Sequence, residues 1–201
     1  MNSPASCIIR QAENMTESTA MENSNKQPST MQTVYEYVSS TVFALAVVLL
    51  VFTFVLRTAT VVGVSMMNTL HDGDRLILST THDTPRQGDI VVLSTKAVRE
   101  AIVKRVIATA GQTVNIDFQT HTVYVNGKAL SEPYIREPTS ERGDVTFPVT
   151  VPPNHVFVMG DNRNDSYDSR FSAVGMIDDR DIIGHAVFRL FPLFKIGPLA
   201  R

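Results

Sequence analysis

The chain of 201 residues has one cysteine, no tryptophan and no region crowded with charge of one sign. Cys7 stands alone, so neither a disulfide framework nor a cysteine-based metal site holds this fold together. The basic residues are scattered and the net charge is -2, which leaves no lysine- or arginine-rich face to track a phosphate backbone. Nucleic acid is therefore not an expected partner. His71, His82, His121, His155 and His185 show neither an HExxH pattern nor any other ligand spacing. No metal and no other cofactor are expected.

What is present divides into three parts. Residues 1–35 are rich in Ser, Asn, Gln, Thr, Met and Glu without apolar periodicity, the composition of a disordered tail. Residues 38–56 then run for 19 positions without a charge, between Glu36 and Arg57. As a helix this run is roughly 28 Å long, close to the ~30 Å hydrocarbon thickness of a bilayer, so a transmembrane helix is expected over residues 36–57. A cleavable leader would have a short basic start and a shorter apolar core. Arg10 and Lys26 before the run and Arg57 after it give little positive-inside bias, so composition leaves the orientation open.

Beyond Arg57 the texture changes to short β-branched runs, and residues 58–201 read as one all-β domain. Strands are expected at 60–64, 75–78, 89–93, 101–108, 113–116, 122–125, 145–149, 155–159 and 182–189. Asp72-Gly73, Gln87-Gly88, Ala110-Gly111, Asn126-Gly127, Arg142-Gly143 and Pro152-Pro153 supply turns between them.

Packing does not explain residues 160–170, Gly-Asp-Asn-Arg-Asn-Asp-Ser-Tyr-Asp-Ser-Arg. So many charges, amides and hydroxyls in one folded loop must satisfy one another or serve a site. A calcium loop is excluded by register: counted from Asp161, the third, sixth and twelfth positions are Arg163, Ser166 and Ser172. Ser65 follows an apolar run at a turn, and a serine nucleophile needs a base within hydrogen-bond reach. Lys104 and Arg105 interrupt the apolar run 101–108. Side chains alternate across a strand, so a one-sided strand would turn one of this pair inward. An inward lysine near Ile102 and Val106 is desolvated, and its pKa falls from ~10.4 toward the 7–8 range useful for a general base. Taken alone, Ser65 reads first as an ordinary serine in a turn, and Lys104 equally well as a snorkelling lysine at a strand end.

Together the segments resemble the type I signal peptidase family of Ser-Lys endopeptidases. Ser65-Met66-Met67-Asn68-Thr69-Leu70 is similar to the family's Ser-Met-x-Pro-Thr-Leu, Gly88-Asp89-Ile90-Val91 to Gly-Asp-Ile-Val, and Lys104-Arg105-Val106-Ile107 to Lys-Arg-Val-Ile. Residues 160–170 match Gly-Asp-Asn-Arg-x-x-Ser-x-Asp-Ser-Arg throughout. The resemblance implies a signal-peptidase-like β-barrel or sheet domain behind one membrane helix, acting as a monomer on signal-peptide-bearing preproteins at a lipid surface. It implies a cytoplasmic N-terminus and an extracytoplasmic catalytic domain in the cell membrane. Ser65 is then the nucleophile and Lys104 the general base; Ser166 hydrogen-bonds the amine, Asp168 and Arg170 form a supporting ion pair, and Arg105 and Gly63 are further support. The pocket walls expected are Met66, Leu70, Ile102 and Val103.

Two positions depart from the family. Asn68 replaces a proline, which frees φ and adds an N–H. Gly63 stands where many members carry a serine that assists the oxyanion hole, leaving main-chain donors, chiefly the N–H of Ser65. A catalytically impaired relative assisting surface-protein assembly is the alternative that Asn68 suggests, and intact Ser65 and Lys104 speak against it. A soluble Ser-Lys self-cleaving repressor is disfavoured by the apolar run and the lack of a DNA-binding segment.

Overall fold

The computed structural model describes residues 30–54, 56–80, 84–95 and 98–199. Most of the expected disordered tail lies outside them, but residues 30–35 do not: they open helix α1, Thr30–Phe54. The stretch Thr30–Leu50 is long and apolar enough to cross a membrane, with a mean hydropathy of 1.6. Phe43, Leu45, Leu49 and Leu50 are exposed, as a helix in the core of a soluble domain would not leave them. The hydroxyl of Thr41 donates to the carbonyl of Tyr37 at 2.8 Å, satisfying a polar group inside the apolar run.

The β-domain contains two antiparallel sheets. The larger follows the order β1 (Leu56–Thr60), β2 (Arg75–Ser79), β11 (Ile182–Phe191), β3 (Ile90–Thr95), β4 (Val98–Thr109), β9 (His155–Met159) and β10 (Ile177–Asp178), with β12 (Gly197–Pro198) pairing β11. The smaller runs β7 (Lys128–Ala129), β6 (Thr122–Val125), β5 (Thr113–Asp117) and β8 (Val149–Thr150). The β6–β7 hairpin turns on Asn126 and Gly127, at φ 52° and 76°, the left-handed pair that a two-residue hairpin demands.

β3 explains why the larger sheet reads as continuous apolar runs. Ile90 and Val92 pack with Met66, Leu70, Leu76, Leu78 and Val103, whereas Val91 and Leu93 pack on the other side with Val106, Val156 and Val158. Both faces are covered, so alternation is lost. A third cluster joins Ile107, Phe157 and Met159 to Val114, Ile116, Val123 and Val125 of the smaller sheet.

The expected strand at 60–64 is displaced to Leu56–Thr60, where Leu56 pairs with Ser79 and Arg57 with Leu78. Gly63 ends any continuation at φ 86°, a backbone open to glycine and costly for other residues. The expected strand at 145–149 shrinks to Val149–Thr150, because Pro148 offers no N–H to a ladder.

Candidate active site

Ser65 lies in a turn rooted at both ends. Before it, the N–H of Val61 donates to Asp74 O (2.8 Å) and that of Gly73 to Val61 O (3.0 Å). After it, Met67 N donates to Val64 O (3.1 Å) and Leu70 N to Met66 O (2.8 Å). Met66 and Leu70 are buried, so the turn is nailed to the core while Val62, Gly63 and Val64 stay exposed. Met66 and Leu70, two of the expected pocket walls, present almost no surface and belong to the core cluster. Val103 lies in the same cluster and Ile102 is half-buried. Exposed apolar surface next to Ser65 in the chain comes from Val62, which is 74% exposed, and Val64.

Lys104 occupies β4 opposite Val91 of β3 and is 3% exposed. Arg105, one position on, is 1% exposed. The expectation that only one of them turns inward is too weak, because both faces of β4 are covered. The Lys104 Nζ donates to Ser65 Oγ at 2.6 Å. Burial removes the amine from water and lowers its pKa from 10.5 to about 8, against the pull of the Asp168 carboxylate. Arg170 adds to the lowering, and Asp161 opposes it.

The loop 160–170 satisfies itself around this pair. Asp168 accepts from Arg170 Nε and Nη2, each at 2.9 Å, and from Gly160 N at 3.0 Å. The Ser166 hydroxyl donates to Asp168 Oδ2 at 2.8 Å. The hydrogen bond between Ser166 and the lysine amine that the resemblance implied is not made among the described residues; the amine's partner is Ser65. Asn162 fastens the loop to the serine turn, with its N–H on Ser65 O at 3.0 Å and Nδ2 on Val64 O at 3.1 Å. Gly160 has to be glycine for this contact, since a Cβ there would overlap Ser65 O and the Ser166 side chain.

Arg105 acts on the opposite face. Its Nε and Nη2 grip Asp161 at 2.9 and 2.8 Å, Nη1 donates to Gly88 O at 2.8 Å, and its guanidinium lies 4.0 Å from the Tyr134 ring centre. Asp161 also accepts from the Thr69 hydroxyl. Ser65, the loop and β4 are thereby tied into one network. Residues 131–141 strap across it: Glu132 pairs with buried Arg163 at 2.6 Å, Thr139 accepts from Arg163 Nη1 at 3.1 Å, and Arg136 N donates to Asp161 O at 3.1 Å.

Two further features bear on chemistry. Among the described residues the Ser65 backbone N–H has no hydrogen-bond partner, while the Gly63 N–H is taken by Asp72 Oδ1 at 2.8 Å. Among the same residues no strand pairs with the edge of β4 before Arg105, where β9 begins its register with Met159. The arrangement thus joins a hydroxyl, a desolvated amine, a free N–H and an open strand edge. Asn68 is exposed.

The family model for "Signal peptidase, peptidase S26" matches residues 34–191. The chain belongs to the signal peptidase family. Signal peptidase I of Bacillus licheniformis is 36% identical over 188 residues, covering 89% of this chain and 97% of that protein. A probable signal peptidase I-1 of Synechocystis sp. is 38% identical over 183 residues, covering 86% and 90%. Among solved structures, a signal peptidase I from Enterococcus faecalis V583 is similar at 29% identity and a TM-score of 0.44, over 51% of this chain and 97% of that one. Peptidase activity and a mainly β fold behind an apolar helix, both expected from the sequence, agree with membership of the signal peptidase family.

Of the residues picked from the sequence, Ser65, Lys104, Ser166, Asp168 and Arg170 come together, with Arg105 behind them. Gly160, Asp161, Asn162 and Thr69 were not singled out. They lie inside the matched motifs, so the signal was present; what was missing was the pairing of Asp161 with Arg105 across 56 positions.

Proposed function

We propose that this chain removes signal peptides from preproteins by acyl transfer, with Ser65 as nucleophile and Lys104 as general base. The observation that carries the reading is the 2.6 Å separation of Lys104 Nζ and Ser65 Oγ at an amine whose pKa is lowered to about 8. The neutral amine takes the serine proton as Oγ bonds to the scissile carbonyl carbon, and the oxyanion meets the free N–H of Ser65. As the C–N bond breaks, the ammonium returns its proton to the leaving amine. Water then attacks the acyl-enzyme, giving its proton to Lys104, which reprotonates Ser65 as the acid departs.

The substrate adds as a strand to the open edge of β4, with its small residues against Val62 and Val64. Asp168 and Arg170 hold Ser166 and Gly160 against the serine turn; Arg105 fixes Asp161 behind it. Helix α1 anchors the domain to the membrane, with residues before it cytoplasmic and residues 58–201 outside. Its support is a length and hydropathy suited to a bilayer.

The test is mass spectrometry of a preprotein incubated with the full chain, beside Ser65→Ala and Lys104→Ala. The expected result is one cut after a small residue with the wild type and none with either variant. Cleavage by either variant removes the Ser-Lys assignment. Recovery of the chain in the soluble fraction removes the anchor.

A further inference from the structure

We infer that Arg136 is a specificity-determining residue that reads the charge of the first residues beyond the cut, favouring acidic ones. This rests on the peptidase reading above and adds a substrate preference to it.

The surface around Ser65 changes character along the chain. Val62 and Val64, exposed and apolar, precede it; Met67 and exposed Asn68 follow it. A signal peptide presents small residues behind its apolar core just before the cut, and the mature chain beyond it is polar, so the chemistry assigns the Met67 side to the mature end. On that side stands Arg136, whose Nη1 lies 3.8 Å from Met67 Sδ, two residues from the nucleophile. Its backbone is fixed to the loop by the bond from Arg136 N to Asp161 O at 3.1 Å, so the guanidinium projects from a rigid base.

The rest of this network spends its guanidiniums internally. Arg105, Arg163 and Arg170 are fully buried and paired with Asp161, Glu132 and Asp168. Arg136 differs, with its side chain 51% exposed and Glu137 as its ion partner at 3.7 Å, itself 55% exposed. Such a surface pair is weak. Glu137 is also drawn the other way, accepting from Asn164 Nδ2 at 3.2 Å. The cation therefore remains available to a carboxylate on a bound chain, and a lysine in that place meets repulsion.

The experiment compares kcat/KM for preproteins that differ only in carrying Asp, Asn or Lys at the second mature position, using the full chain in detergent. Wild type is expected to prefer Asp over Lys by about fivefold at low salt, the size of one surface charge interaction counted as attraction in one substrate and repulsion in the other. The ratio should fall toward one in Arg136→Gln, invert in Arg136→Glu, rise in Glu137→Gln, and shrink in wild type as ionic strength increases. Each ratio is taken within one variant, so a general loss of activity cancels. A ratio near one in wild type, or one unchanged between wild type and Arg136→Gln, overturns the inference while leaving the peptidase reading intact. Failure of wild type to cut even the Asn substrate defeats the peptidase reading instead.

Discussion

Burial of the amine at position 104 supplies the proposed base and makes the folded state bear the cost of its charge. Replacing Lys104 with Met separates the two effects. The fall in pKa from 10.5 to about 8 corresponds to about 3 kcal/mol of penalty on the protonated folded state. The sign follows from proton counting. Below pH 8 the amine is charged in both folded and unfolded chains, so folding bears the full penalty. Between 8 and 10.5 the unfolded chain binds the proton and the folded chain does not, so stability rises with pH. Above 10.5 neither form is charged and the penalty is gone. Lys104→Met carries no such term, so the stability difference between wild type and variant should shift in favour of wild type by about 3 kcal/mol between pH 7 and pH 10.5. Urea unfolding of both proteins in the same detergent, at intervals across that range, measures it. At pH 7 the variant should be the more stable protein. A difference that stays constant with pH would refute the claim that Lys104 is held with a lowered pKa.

Two further substitutions probe the frame. Gly160→Ala forces a Cβ into Ser65 O and Ser166, so kcat/KM should drop at least tenfold; Gly197→Ala, where a Cβ meets nothing, should change it by less than twofold. Asp161→Ala leaves the buried Arg105 guanidinium without its carboxylate, and should cost about 3–5 kcal/mol in urea unfolding, with Asp161→Asn losing less.

How much of this was readable in advance depended on whether the information was local. The turn residues and β-branched runs predict an all-β domain, and β2, β5, β6, β9 and β11 fall where alternation and punctuation put them. The run before Gly63 misleads because β-branched residues suit a strand, whereas the φ of Gly63 is a property of the fold. Residues 131–141 carry no period and no motif, so nothing local announces that Glu132 and Tyr134 close over Arg163 and Arg105. Motif position places Met66 and Leu70 beside Ser65 but does not say which way a turn faces. A turn has no periodicity from which the buried side follows, and only tertiary packing buries these two side chains. The lysine was the most legible element: a charge inside an apolar strand has few physical outcomes, and desolvation is one of them.

The central claim is that an uncharged Lys104 draws the proton from Ser65, and the pH dependence of kcat/KM in the wild-type chain tests it most directly, since this ratio reports groups of the free enzyme. Because the neutral amine is the active form, kcat/KM should climb about tenfold per pH unit from pH 6, bend near pH 8 and level off above it. A profile flat from pH 6 to 9, or one that falls across pH 8, would contradict the account.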